Sequence, residues 1–184
     1  NKKDIKSTLK VALSLFVNHI CGALLAWIVC IGFLKLMDST YGLIVCEILV
    51  LLAYSLPGYY NLWHLGFSDI NKINFGHIKK DNFKGFKLAA IALIPSYLMG
   101  IGLILAKFNL FPNIMVAFKF TNAHLWPLIN LINPSAYMSD ISVIQIIIIA
   151  LLTIIPNIIF GFAYILGLKE ISISQRLMYK KNKE

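Results

Sequence analysis

Long apolar runs constrain this chain more than any other feature of its sequence. Residues 11–34, 41–63, 88–106 and 141–168 form four stretches, each of about 20 residues or more, the length at which a helix crosses a hydrocarbon core of about 30 Å. Of all residues, 59% are hydrophobic and 14% charged, whereas a soluble domain averages about 45–50% and about 25%. We therefore predict an all-α integral membrane protein with four transmembrane helices in a single domain, residues 1–184.

The distribution of lysine predicts an orientation. Residues 1–10, 64–87 and 169–184 are basic, whereas 35–40 and 107–140 are nearly neutral, within a net charge of +9. The positive-inside rule then predicts a multi-pass protein of the cell membrane with both termini cytoplasmic. The expected partner of this surface is the anionic lipid bilayer rather than nucleic acid. Its basic residues are Lys72, Lys79, Lys80, Lys84, Lys87, Arg176, Lys180 and Lys181.

The first run is too long for the core of a signal peptide, which has about 7–15 residues, so we expect it to remain as a helix. Pro57, Pro95 and Pro156 lie within the predicted spans and mark expected kinks, because membrane helices tolerate internal proline. Residues 107–140 are too long for a simple link and rich in aromatic side chains. This connection is predicted to be an interfacial or re-entrant segment on the outer face, broken at Trp126-Pro127 and Asn133-Pro134.

Residues 64–87 carry apolar side chains at near-helical spacing and are predicted to form an interfacial helix. Gly76 is expected to end its first half, and Asp81 to cap the next helix. Within this region the sequence LGFSDI, residues 65–70, aligns without gaps with LGLKEI, residues 166–171. The similarity indicates either two helix hairpins related as a parallel repeat or a chance likeness between apolar helices.

Small and polar residues recur every four positions along the first predicted span. Such a stripe allows close approach of two helices in lipid, where little hydrophobic force drives association. It predicts a packing seam within the chain or, alternatively, a dimer interface. Its members are Ser14, Asn18, Gly22, Ala26 and Cys30.

Four polar residues inside the predicted spans are the candidate functional residues: Glu47, Asn18, His19 and Asn157. Glu47, the only acid within a span, is interpreted as a proton carrier or cation site, or else as a shallow protonated carboxyl. The other three are expected to line a polar pocket in the inner half, or to form interhelical hydrogen bonds. The remaining histidines are expected at or beyond the membrane edges: His64, His77 and His124.

The sequence contains no familiar catalytic, metal-binding or nucleotide-binding motif, so we assign no catalytic residue, metal or cofactor. Its abundance of Ile, Asn and Lys is typical of an AT-rich bacterial genome. The preferred hypothesis is a non-enzymatic transporter or channel component, working as a homo-oligomer or with other membrane subunits. The alternatives are an accessory or scaffold subunit that binds another membrane protein, and a lipid-modifying enzyme using His77 and Asp81.

Overall fold

The protein is all-helical throughout the part that a computed structural model describes, which is the backbone of residues 2–171 and the side chains of 8–171. Eight α-helices follow one another, joined in three places by short 3-10 turns. They are α1 (Lys2–Gly32), α2 (Thr40–Asn74), α3 (Lys84–Ala92), α4 (Ile94–Lys107), α5 (Met115–Thr121), α6 (Trp126–Ile132), α7 (Val143–Leu152) and α8 (Ile155–Leu168), with the turns at Leu34–Asp38, Ala123–Leu125 and Met138–Asp140.

Three segments are long and apolar enough to cross a membrane: Thr8–Gly32, Thr40–Asn74 and Val143–Leu168. Helices α3 and α4 together become a fourth if their bent pair counts as one span. Most large side chains on the outer faces of these helices are apolar and exposed, the pattern of a bundle surrounded by lipid rather than water. The apolar helices therefore indicate a membrane-embedded protein.

Two of the three proline positions mark helix breaks. Pro95 lies in the first turn of α4, where the chain bends by 62° relative to α3. Pro156 lies in the first turn of α8, after the break that follows α7 at Thr153. Pro57 instead lies inside α2, which continues without a break to Asn74. Proline lacks an N–H and is tolerated best in a first helical turn, so Pro95 and Pro156 begin the second halves of broken helices.

The prediction of an interfacial helix within residues 64–87 differs from the structure. Helix α2 extends through this region as far as Asn74, and its face there packs on α8 instead of lying flat beside the bundle. Gly76 does end the helix, with φ of 70° and with His77 N–H donating to the Lys72 carbonyl. The Asp81 carboxylate accepts from Phe83 N–H at 2.9 Å, just before α3.

The closest helix pair is α2 with α8, which run in the same direction and contact each other more extensively than any other described pair. The two similar sequences face each other here. A Cβ added to Gly66 would overlap the Tyr164 carbonyl oxygen and lie 3.2 Å from the Gly167 Cα. The repeated Leu-Gly pairs thus form the two sides of one crossing, at which glycine lets the backbones approach.

Residues 107–140 fold back into the bundle. Helices α5 and α6 are joined by the turn Ala123–Leu125, whose three residues are completely buried. We call residues 115–132 the re-entrant segment, because its tip at this turn packs on the middle of α1 and α2. The helix breaks at Asn122–Leu125, immediately before the predicted Trp126-Pro127 step. Helix α6 ends at Ile132, so the chain leaves the helix at the predicted Asn133-Pro134 step.

Candidate functional site at the tip of the re-entrant segment

The tip of the re-entrant segment places His124 against two polar side chains of the long helices. The His124 ring stacks on Tyr54 of α2, with ring centroids 3.8 Å apart and planes within 8°. His19 of α1 meets His124 edge to face, with centroids 5.5 Å apart. The His19 Nδ1 and the Tyr54 hydroxyl are 2.8 Å apart and hydrogen bonded. We call these three residues the His–Tyr–His cluster.

His124 is completely buried, yet neither of its ring nitrogens has a hydrogen-bond partner among the described residues. A buried polar group without a partner costs about 1–3 kcal/mol, and no bulk water is available at this depth to compensate. Such groups are rare in native proteins and call for a specific explanation. His124 is the strongest sign of a binding or proton-holding site in the described part of the chain.

The tip is held by polar contacts from two other helices, α1 and α4, and by one contact within the re-entrant segment. Ser96, in the first turn of α4, donates to the Asn122 side-chain oxygen, and the Asn122 amide donates to the Phe118 carbonyl at 3.2 Å. The Trp27 indole N–H of α1 donates to the Phe120 carbonyl at 3.1 Å. These contacts satisfy groups that the helix break at Asn122 exposes, which is why a non-helical turn can lie inside the bundle.

Glu47 lies two helical turns from Tyr54 on the same face of α2 and is buried, with 6% exposure. Its Oε2 accepts from Leu128 N–H at 3.2 Å, in the first turn of α6, where a carboxylate is favoured by the helix dipole. Its Oε1 has no partner among the described residues. Glu47 therefore caps the re-entrant helix from another helix and leaves one oxygen free.

The expected pocket formed by Asn18, His19 and Asn157 is not joined by hydrogen bonds between its members among the described residues. His19 binds Tyr54, whereas the Asn157 amide donates to the Tyr97 hydroxyl at 3.0 Å, linking the two broken helices beside their breaks. The Asn18 amide nitrogen and the Asn157 oxygen have no described partner.

The stripe of the first span lies largely inside this chain. Gly22, Ala26 and Cys30 are buried, whereas Asn18 is half-buried and Ser14 is exposed. A Cβ on Gly22 would lie 2.7 Å from the Tyr54 ring. The buried part of the stripe thus contacts α2 and the tip instead of presenting itself to a second molecule.

The basic residues at the opposite end of α2 are partly paired. Lys72 and Lys84 lie 3.3 and 2.6 Å from the buried carboxylate of Asp69, which also accepts from the Tyr164 hydroxyl at 2.9 Å. Lys87 lies 2.8 Å from Asp81, and this contact lowers the pKa of that carboxyl. The exposed loop holds Lys79 and Lys80. The remaining predicted basic residues lie outside the described part of the chain: Arg176, Lys180 and Lys181.

The prediction that His124 lies at or beyond the membrane edge is wrong, because the re-entrant segment carries it to the middle of α2. Tyr54 was not singled out either. His124 sits among apolar and aromatic neighbours in the sequence, a signal that is equally compatible with an interfacial position. His64 lies within α2 and His77 follows it, and both side chains are exposed.

The side chains of the cluster are suited to hydrogen bonding and proton binding. No group of three or more His, Cys, Asp or Glu that could hold a metal ion occurs among the described residues. Neutral imidazole offers one donor and one acceptor, and can take up a proton when a partner stabilises the charge. Comparison of the chain with protein-family models, with curated proteins and with solved structures finds no match.

Proposed function

We propose that this chain is a non-enzymatic transport or channel component in which the His–Tyr–His cluster conducts protons or couples their movement to that of a solute. The observation that carries the proposal is the buried, unpartnered imidazole of His124 at the tip of a re-entrant segment. Ionisable side chains at membrane depth typically mark proton or ion pathways. A non-helical segment at this depth is typical of structures that line such pathways.

Glu47 supplies the second group of the proposed path. It shares a face of α2 with Tyr54 and lies nearer to the beginning of that helix, and its Oε1 has no partner among the described residues. A path from Glu47 to the cluster runs along the contact between α2 and the re-entrant segment, so movement of this segment would open or close it. Glu47 thereby has a structural role as a helix cap and a proposed role as a proton acceptor.

We further propose that the chain crosses the cell membrane four times, with α3–α4 and α7–α8 each forming one broken span and both basic ends on the cytoplasmic side. The parallel arrangement of α2 and α8 supports this topology. Parallel spans begin on the same side of the membrane, so an even number of crossings separates their starts, and here these two crossings are α2 itself and α3–α4. The lysines would then face anionic lipid headgroups.

Four crossings are few to enclose a path, so we propose that the protein works as a homo-oligomer or with other membrane subunits. Native mass spectrometry of the protein extracted in nanodiscs identifies the oligomer and any subunit that copurifies. That assembly is the material for the functional test.

The test is proton uptake into liposomes of phosphatidylethanolamine and phosphatidylglycerol with a pH-sensitive dye inside. A potassium gradient and valinomycin impose the membrane potential. We expect uptake above that of empty liposomes, and a fall of about tenfold or more in His124→Phe, which keeps a ring on Tyr54 but removes both nitrogens. His64→Phe changes an exposed histidine of α2 and is the matched control.

Two results would contradict the proposal. One is uptake no faster than in empty liposomes at every potential, which would contradict proton conduction by this chain. The other is an equal rate in the wild type and in a correctly folded His124→Phe variant.

A further inference from the structure

A cavity of about 280 Å³ opens sideways between α1, the beginning of α4 and the end of α5. Most of its wall is apolar or aromatic, including Phe16, Trp27 and Phe120. Three side chains with polar groups, His19, Ser96 and Thr121, also line it, and the hydroxyls of Ser96 and Thr121 already donate to Asn122 and to the Ala117 carbonyl. Its size is close to the lower limit of small-molecule sites, about 300 Å³, and exceeds the roughly 150 Å³ of an apolar cavity that accepts benzene.

His19 gives this cavity one free hydrogen-bonding group. The side chain is 94% buried, as its exposure is 6%, and its Nδ1 bonds to the Tyr54 hydroxyl. Its Nε2 has no hydrogen bond to any described residue. When the Tyr54 hydroxyl donates to Nδ1, the neutral ring carries its proton on Nε2, which is then a donor without a protein acceptor.

A second recess of about 410 Å³ adjoins the cavity and shares Phe16 and Pro95 with it. It lies between α1 and α3, and only apolar side chains line it, among them Leu13 and Ile91. No Lys, Arg, Asp or Glu lines either space. The two together offer an aromatic chamber with a polar wall and an apolar extension open to the bilayer.

We propose that these spaces bind one neutral, lipid-soluble molecule whose ring-sized head carries a carbonyl oxygen and whose apolar tail lies along α1 and α3. The carbonyl accepts from His19 Nε2–H, and the aromatic side chains enclose the ring. A charged head is excluded, because neither space offers a charged group to balance it. This site shares His19 with the His–Tyr–His cluster of the proposed proton path, but it does not require His124.

Tryptophan fluorescence tests the proposal directly. Trp27 lines the cavity and Trp126 lies next to it, with ring centroids 4.8 Å apart, whereas Trp63 bonds to Ile171 at the far end of α2. Decyl-benzoquinone added to Trp63→Phe protein in nanodiscs should quench the emission in a saturable manner, with one molecule bound per chain. The Trp27→Phe/Trp126→Phe protein keeps only Trp63, so it should show only the linear quenching that collision in the lipid produces.

Two variants locate the binding site, both in the Trp63→Phe background. His19→Phe keeps a ring but removes the donor, and we expect about tenfold weaker binding, the effect of losing one hydrogen bond of ordinary strength. Ala23→Leu extends a buried side chain into the cavity and should abolish saturable quenching while every polar group remains. Thermal unfolding confirms that each variant is folded.

Several outcomes would overturn the site. One is purely linear quenching of Trp27 by decyl-benzoquinone, and another is equal quinone affinity in folded His19→Phe and in the parent protein. The third is saturable quenching by brominated phosphatidylcholine that decyl-benzoquinone does not relieve, because this result would assign the cavity to a phospholipid chain. His124→Phe separates the two proposals, because it should bind the quinone normally while losing proton uptake. If a protein that takes up protons shows no saturable binding of decyl-benzoquinone, this inference is refuted and the proposed function is not affected.

Discussion

The glycine crossing between α2 and α8 makes a quantitative prediction about stability. Alanine at Gly66 would place its Cβ against the Tyr164 carbonyl and 3.0 Å from Leu168 N, and alanine at Gly167 would place it 2.9 Å from the Trp63 carbonyl carbon. Backbone carbon and oxygen atoms normally lie at least about 3.3 Å apart. These neighbours are backbone atoms and cannot rotate away, so the helices must separate.

A separation of about 1 Å forfeits a quarter to a half of the dispersion energy of the atoms involved, and overpacking of this kind typically costs about 1–3 kcal/mol. We expect each alanine variant to lose about 2–3 kcal/mol in the free energy of unfolding. The double variant should lose less than the sum, because both substitutions force apart the same contact.

Reversible denaturation in detergent measures the effect, and Gly100→Ala is the matched control. Its Cβ would lie 3.5 Å from the Ala150 carbonyl oxygen, an ordinary contact, and alanine favours a helix by about 1 kcal/mol over glycine. The control should therefore be neutral or stabilising. Equal stability of the Gly66→Ala, Gly100→Ala and wild-type proteins would refute the assignment of this crossing.

Three further variants test separate local contacts. Glu47→Ala should lower the free energy of unfolding by about 1 kcal/mol or more, because it removes the acceptor for Leu128 N–H. Glu47→Gln keeps an acceptor for this N–H and should lower it less. Equal losses of stability in the two variants, measured by thermal unfolding, would contradict the role of Glu47 as a helix cap. Ser142→Ala removes a capping box at α7 and should cost about 1 kcal/mol by the same measurement, whereas an unchanged midpoint would count against it. Asp81→Asn should cost less than about 1 kcal/mol at pH 7. The partly exposed Asp81 has a lowered pKa in the folded protein. The difference in stability is therefore fully present above the ordinary value of 3.8 and is lost as the pH falls from there through the lowered pKa of the folded protein. A difference of the same size at a pH low enough to protonate Asp81 in the folded protein would contradict the ion pair.

The sequence predicted the membrane class and the helical segments well, because both depend on the length and composition of single stretches. The breaks at Pro95 and Pro156 follow from local backbone chemistry in the same way. Pro57 shows the limit of that reasoning. It has the same missing N–H as the other two prolines but lies inside an unbroken helix, so the packing around α2 decides the outcome.

The candidate site was predicted only in part, since Glu47 and His19 were found but His124 and Tyr54 were not. The two residues that were found lie in long apolar spans, where a polar side chain is conspicuous. His124 lies in a mixed segment, and its depth depends on contacts with residues about 70 to 105 positions earlier in the chain. No local pattern contains that information.

The re-entrant segment shows how long-range contacts change the meaning of a polar sequence. Asn122 and His124 make a span facing lipid unfavourable, and they therefore favour an interfacial position when the segment is read alone. In the structure Ser96 binds Asn122, and Tyr54 covers one face of His124. These contacts satisfy Asn122 but leave both nitrogens of His124 without a partner among the residues that the structure describes. The fold therefore accounts for the presence of the segment inside the bundle without accounting for the buried imidazole of His124. That difference is the physical reason why the proposed function rests first on His124, with Glu47, whose Oε1 also has no described partner, as its second group.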